Sequence, residues 1–269
     1  HTPQRTGSKI ASAKIVGGDS APYGAYPWQV EIKAYKPLSH KYEHHCAGAV
    51  IGDRVVLTAA HCISNLDHPE KMRIIVGKMD LSMNEYHERT YKPEKIIIHS
   101  DFRKMGPHSN DIAIIKVKDA NNRGIQFNTH VQPICLPDSL SRRADVGDWC
   151  TVTGWGAQKS DDLESLSETL QVAAVPLWDL ETCRGSDVYG GRDQSILDSM
   201  VCAGIKEGGV DACGGDSGGP LACQVNGRFV LTGLVSWGDG CAKKNRPGVY
   251  TRVSHYISWI QESLKKLGI

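Results

Sequence analysis

An all-β fold, a sandwich or a barrel, is predicted by three features of the sequence. Short runs rich in β-branched residues recur with turn residues between them. Helical periodicity is confined to the end of the chain. At 269 residues the chain is long enough to bury a large core.

Strands are expected at Gln29–Ala34, Val55–Leu57, Arg73–Val76, Ile112–Val117, Cys150–Thr153 and Phe229–Ser236. A closing helix is expected over about 254–267, with Ser254 as its N-cap. Ile257, Ile260, Leu264 and Leu267 recur at helical spacing, and this stripe is a packing face.

A net charge of +1 gives no reason to expect nucleic acid or a membrane surface as partner. The apolar stretch from Ala47 to Ala60 is interrupted by Asp53 and Arg54, so no membrane span is expected. Nine cysteines point to an oxidising, extracellular compartment and a secreted protein. The chain begins at His1 without an apolar leader, as expected of a processed or excised part of a longer protein.

Residues 214–220 read Gly-Gly-Asp-Ser-Gly-Gly-Pro, placing the Ser217 hydroxyl among glycines and beside a carboxylate. Glycines let backbone N–H groups approach a ligand closely, so such a turn can unite a nucleophile with oxyanion donors. Taken alone it is an ordinary glycine-rich turn. Thr58-Ala59-Ala60-His61-Cys62 adds an imidazole, and Asn110-Asp111-Ile112-Ala113-Ile114 adds a carboxylate. A serine hydroxyl is a weak nucleophile at neutral pH and needs such a base, oriented by such an acid.

Together, and in this chain order, the three segments resemble the trypsin-like serine proteases of the chymotrypsin fold, over about residues 15–267. The resemblance implies two packed antiparallel six-stranded β-barrels with a C-terminal α-helix. The first barrel would span about 29–120 and the second about 135–250, within a protease domain of 15–269 preceded by an activation segment of 1–14.

It also implies roles. His61 is the general base, Asp111 orients it, and Ser217 attacks. The N–H groups of Gly215 and Ser217 form the oxyanion hole. Asp211 lies at the base of the primary (S1) pocket and selects a substrate Arg or Lys at P1. Ala212, Ser236, Trp237, Gly238 and Gly248 line that pocket, and His108 forms part of the S2 wall. Ala212 stands where many relatives have serine, which implies a preference for Arg over Lys. Disulfides Cys46–Cys62, Cys150–Cys223, Cys183–Cys202 and Cys213–Cys241 are implied. Cys135 is left over, either bonded to a cysteine upstream of His1 or a buried thiol.

Lys14-Ile15-Val16-Gly17-Gly18 resembles the family's activation junction. Cleavage after Lys14 would free the Ile15 amino group to pair with Asp216, so the uncleaved chain is expected to be a zymogen. His44 matches the histidine that holds this Asp in related zymogens, but Glu31 stands where the partner serine would be. An upstream activating protease, protein substrates, protein inhibitors and a place in a proteolytic cascade follow.

No cofactor is expected. Calcium is not, because Lys78 follows Gly77 where the calcium loop would offer a glutamate, leaving Glu85 and Glu88 solvated. Sodium is not, because Pro247 replaces a tyrosine. Gly214 replaces a glutamine at the pocket rim. The loops Tyr35–Glu43 and Arg184–Val201 are expected to be extended and to narrow substrate choice. The rival class is a protease-like binding protein, which would have lost a triad member or the pocket Asp.

Overall fold

The computed structural model describes residues 17–138, 144–159, 162–213 and 215–269. Lys14, Ile15 and Gly214 lie outside them. The strands in chain order begin with β1 (Asp19–Ser20), β2 (Gln29–Lys36), β3 (Lys41–Gly52), β4 (Val55–Thr58), β5 (Arg73–Val76), β6 (Arg89–Ile98) and β7 (Ala113–Lys118). They continue with β8 (Trp149–Gly154), β9 (Ala157–Lys159), β10 (Asp162–Leu166), β11 (Gln171–Pro176), β12 (Met200–Ala203), β13 (Pro220–Val225), β14 (Arg228–Trp237) and β15 (Gly248–Arg252). The helices are α1 (His61–Ser64), α2 (Leu180–Cys183) and α3 (Ile257–Leu267).

Strands β2-β3-β4-β7-β6-β5 form a closed six-stranded antiparallel barrel. Val30, Ile32, Val50, Val56, Ile74 and Ile115 fill it. Side chains alternate between the two faces of a strand, so Ile32 and Ala34 of β2 point inward while Lys33 and Tyr35 do not.

The second half is a curled sheet of order β1-β11-β8-β13-β14-β15-β12. Its seventh strand, β1, is an N-terminal edge addition pairing Asp19 with Val172. The other six curl until their ends meet. There an isolated antiparallel bridge joins Leu177 to Ala203, and Trp178 N–H donates to Cys202 O at 2.8 Å. Val152, Val175, Val201, Leu221 and Tyr250 form this core.

A separate apolar cluster lies between the halves: Trp28, Leu57, Ile112, Leu231 and Leu234 meet Val253, Ile260 and Leu267. The closing helix is therefore a wedge on the barrel junction. Its stripe packs as expected, but its start differs. Ser254 sits in a 3-10 turn, Val253–Tyr256, and α3 begins at Ile257 with no side-chain cap. Tyr256 is buried, and its hydroxyl donates to Asn110 Oδ1 at 2.9 Å. Tertiary anchoring thus sets the helix start in place of a cap.

The Tyr35–Glu43 segment is a continuous hairpin, with Tyr35 paired to Tyr42 and Lys36 to Lys41, and is not an irregular loop. Cross-strand Tyr35 and Tyr42 rings lie 5.4 Å apart, beneath Lys71 and Arg73, and stiffen it.

Four disulfides staple the fold: Cys46–Cys62, Cys150–Cys223, Cys183–Cys202 and Cys213–Cys241. Cys135 is a free, half-buried thiol. Among the described residues no helix is long and apolar enough to cross a membrane.

Candidate active site

The candidate triad gathers at the barrel junction. His61 opens α1, directly after β4, and Cys46–Cys62 fixes that turn. Asp111 precedes β7 and is 1% exposed. Asn110 before it adopts φ 50°, a left-handed turn that Asn tolerates, and its side chain donates to Asp101 O at 2.9 Å. Asp111 is thereby aimed inward. Its Oδ1 accepts the His61 N–H at 2.9 Å, and its Oδ2 lies 2.6 Å from His61 Nδ1. This double grip fixes both ring and backbone of His61. With Nδ1–H donated to the carboxylate, Nε2 is left as the base.

Ser217 comes from the second half, in the turn before β13. Its carbonyl accepts the Ala47 N–H at 2.8 Å, so its backbone is pinned to the first barrel. Gly218 (φ 79°) packs against Thr58 and Ala47, where any Cβ would collide with Thr58 Oγ1. Only glycine lets the serine turn dock this closely. The Ser217 hydroxyl and His61 ring are not hydrogen-bonded to each other here, among the described residues. Such contacts commonly tighten only when substrate binds.

Beside Ser217 opens a cavity of about 230 Å³, lined by Asp211, Ala212, Ser236, Trp237, Gly238 and Gly248 among others. Asp211 is 3% exposed; its Oδ2 accepts the Ala242 N–H at 3.2 Å, and its Oδ1 has no hydrogen-bond partner among the described residues. Burial pushes its carboxyl up to about 7, partly offset by the N–H groups of Ala242 and Ala212. An unpaired buried acceptor at the bottom of a cavity is a ready site for a cation. A Cβ at Gly248 would stand 2.8 Å from Asp211 Oδ1, so glycine keeps that floor open. Gly238 is under no comparable constraint, its nearest neighbour being Gly240 O at 3.4 Å.

Asp216, fully buried, turns away from this cavity. Its carboxylate accepts N–H bonds from Gly156 at 2.7 Å and Cys213 at 2.8 Å. Gly154 and Gly156 both touch it where side chains would collide. Burial raises its carboxyl to about 6, against those two bonds and nearby His44. His44 does not hydrogen-bond Asp216; its Nε2 lies 2.9 Å from Gly215 O.

His108 stacks on Trp237 with rings 4.9 Å apart and 8° from parallel. Burial lowers the affinity of His108 for a proton. Gln194, from the Arg184–Val201 loop, accepts the His108 N–H at 2.9 Å and donates to Met105 O at 3.3 Å. That loop therefore folds back over the first barrel's rim.

One expectation needs correction. Glu85 and Glu88 are not solvated: Lys78 Nζ reaches Glu88 Oε2 at 2.8 Å, and Glu85 accepts the Met79 and Asp80 N–H groups. Lys78 fills the loop as an internal cation. The Ser236 side chain also does more than line the pocket, donating to Asp111 Oδ2 at 2.6 Å. No local pattern marks the Ser236 bond or the Gln194 clamp, because both join residues over 80 positions apart.

A fold of two β-barrels with Ser, His and Asp at their junction defines a serine peptidase scaffold. The Trypsin family model matches residues 15–260. Coagulation factor XI from Bos taurus is 40% identical over 249 residues, covering 93% of this chain and 37% of that protein. Urokinase-type plasminogen activator from Gallus gallus is 39% identical over 266 residues, covering 97% of this chain and 59% of that protein. The chain belongs to the trypsin family and is a trypsin-like serine endopeptidase domain. It spans less than two thirds of the length of either relative.

Proposed function

We propose that this domain hydrolyses peptide bonds after Arg, and less well after Lys, through Ser217, His61 and Asp111. The observation that carries the specificity is the unpartnered Asp211 Oδ1 at the floor of the cavity beside Ser217. A guanidinium offers paired donors on a rigid plane, whereas an ammonium is a point charge. Ala212 supplies no hydroxyl to a shorter Lys. A neutral P1 side chain would leave the carboxylate unpaired, which is the origin of strong rejection. In the reaction His61 takes the Ser217 proton as the acyl-enzyme forms and returns it to the leaving amine. The Gly215 and Ser217 N–H groups receive the developing oxyanion. The test compares matched peptidyl-Arg, peptidyl-Lys and peptidyl-Gln amides. Arg fastest, Lys slower and Gln undetectable is expected; equal rates for Arg and Lys overturn the preference.

Residues 1–14 serve as an activation segment on the 15–269 protease domain, and cleavage after Lys14 frees Ile15 to pair with Asp216. Support comes from Asp216 being held against Gly154 and Gly156, where it accepts the Gly156 and Cys213 N–H groups and makes no hydrogen bond to His44 among the described residues. An upstream protease that cuts after Lys supplies the cleavage, which places the protein in a secreted proteolytic cascade with protein inhibitors. Cys135, half-buried and unpaired, links to a cysteine upstream of His1. Mass spectrometry of the native full-length protein tests this, and a free Cys135 thiol there contradicts it.

A further inference from the structure

We propose that Glu31 is a positioning residue for the oxyanion loop, acting through His44 on the carbonyl of Gly215. Glu31 lies on β2 with its side chain fully buried, and the His44 side chain is only 5% exposed. His44 Nδ1 stands 3.4 Å from Glu31 Oε1, and His44 Nε2 stands 2.9 Å from Gly215 O. The line thus runs from the first barrel's wall, through one imidazole, into the turn that carries Ser217.

Proton inventory gives the line its direction. A carbonyl oxygen only accepts, so Nε2 carries a hydrogen. Nδ1 then faces the Glu31 carboxylate across 3.4 Å. A carboxylate placed there holds the ring's angle, as carboxylate partners do for other functional histidines. Trp155 meets the ring edge-on at 5.9 Å.

Gly215 needs such an anchor. It sits at φ 98°, a backbone conformation that residues with side chains rarely adopt, and a Cβ there would stand 2.8 Å from the Leu166 side chain. Its N–H is an oxyanion donor in the reading above, and holding its carbonyl limits rotation of the same residue. Pre-aimed donors act only if they do not reorganise during reaction.

Glu31 is also costly where it stands. Its Oε2 is buried without a hydrogen-bond partner among the described residues. Lys33 Nζ stands 3.9 Å from Oε1. An apolar side chain of similar size would avoid that cost, so a purely structural role does not account for a carboxylate here.

The test uses the active, cleaved enzyme in five forms: wild type, E31Q, E31L, H44A and E31L/H44A. Each is assayed for kcat and KM on one peptidyl-Arg amide. Binding of benzamidine, which reaches only the Asp211 cavity, is compared with binding of a peptidyl-Arg aldehyde, which adds a tetrahedral oxyanion. E31L should lose about tenfold in kcat and in aldehyde affinity, part of what deleting one oxyanion donor costs. Its KM and benzamidine affinity should stay within about twofold by the same reasoning. E31Q, whose amide donates to Nδ1, should restore activity to within about threefold of wild type. E31L/H44A should be no worse than H44A alone.

Wild-type kcat and aldehyde affinity in E31L would overturn the proposal. So would equal weakening of both ligands, or losses that multiply in the double variant. E31V replaces E31L, with the same expected readouts, if E31L does not fold. The inference rests on the serine endopeptidase reading; a wild type inactive on amide and ester substrates would fail that reading separately.

Discussion

Ser236 Oγ donates to Asp111 Oδ2 at 2.6 Å, the same oxygen that faces His61 Nδ1 at 2.6 Å. One carboxylate oxygen thus receives a donor from each barrel. The bond ties the wall of the cavity beside Ser217 to the carboxylate that holds His61. Truncating Ser236 leaves Asp111 with one donor fewer in a site where it is 1% exposed. S236A should lower kcat/KM about tenfold, the scale of one hydrogen bond to a charged group. Steady-state kinetics read this, and an unchanged value shows that the bond is spectator geometry.

With Asp211 as the proposed cation site, ligand binding should depend on pH. Burial holds its carboxyl at about 7, against about 3.9 in an unfolded chain. A guanidinium or amidine binds the ionised form, so benzamidine affinity should fall as pH drops below about 7, approaching tenfold per unit. Calorimetry in buffers of different ionisation heat should show proton release on binding near pH 6.

The same shift has the opposite consequence for stability. Between about pH 4 and pH 7 the folded state keeps a proton that the unfolded chain has lost. Stability from this group therefore falls as pH rises through that window and is level above it. D211N should be more resistant to heat than wild type at pH 8, and the gap should close toward pH 4. Scanning calorimetry at both pH values checks the sign.

Gln194 holds the His108 backbone from the opposite barrel. Q194A should loosen the His108–Trp237 stack, and with it the S2 wall that His108 is proposed to form. A severalfold rise in KM for substrates with a side chain at P2 is expected, with little change for Gly at P2. Equal effects on both substrates would show that Gln194 acts elsewhere.

Lys78 is an internal cation, its side chain 2% exposed against Glu88. K78M leaves that carboxylate without its partner, at a cost of about 3 kcal/mol. The melting temperature should drop by roughly 10 °C for a domain of this size. Added Ca²⁺ should leave the wild-type value unchanged. A calcium-dependent rise would show that the loop is a metal site after all.

Local patterns in the sequence already pointed to much of this. Arg73–Val76 is a strand with the bounds expected around its Ile74-Ile75-Val76 run, and Gly-Gly-Asp-Ser-Gly-Gly-Pro marks a turn in any context. The order of His61, Asp111 and Ser217 pointed to their meeting. What stayed hidden depends on packing between distant segments. Ser254 has the composition of a cap, yet Tyr256 anchoring starts the helix three residues later. Glu88 looks solvated by composition, yet Lys78 lies ten residues away on the same loop and reaches it. Glu31 alternates with core residues in sequence, and only the fold shows which imidazole it faces.

The most direct measurement follows hydrolysis of a peptidyl-Arg amide before and after cleavage at Lys14–Ile15, with S217A alongside. Activity that appears on cleavage, and is absent from S217A, is the expected result. Clean cleavage with no activity, or equal activity in S217A, would contradict the assignment of Ser217 as nucleophile and make this domain a binding module built on a protease fold.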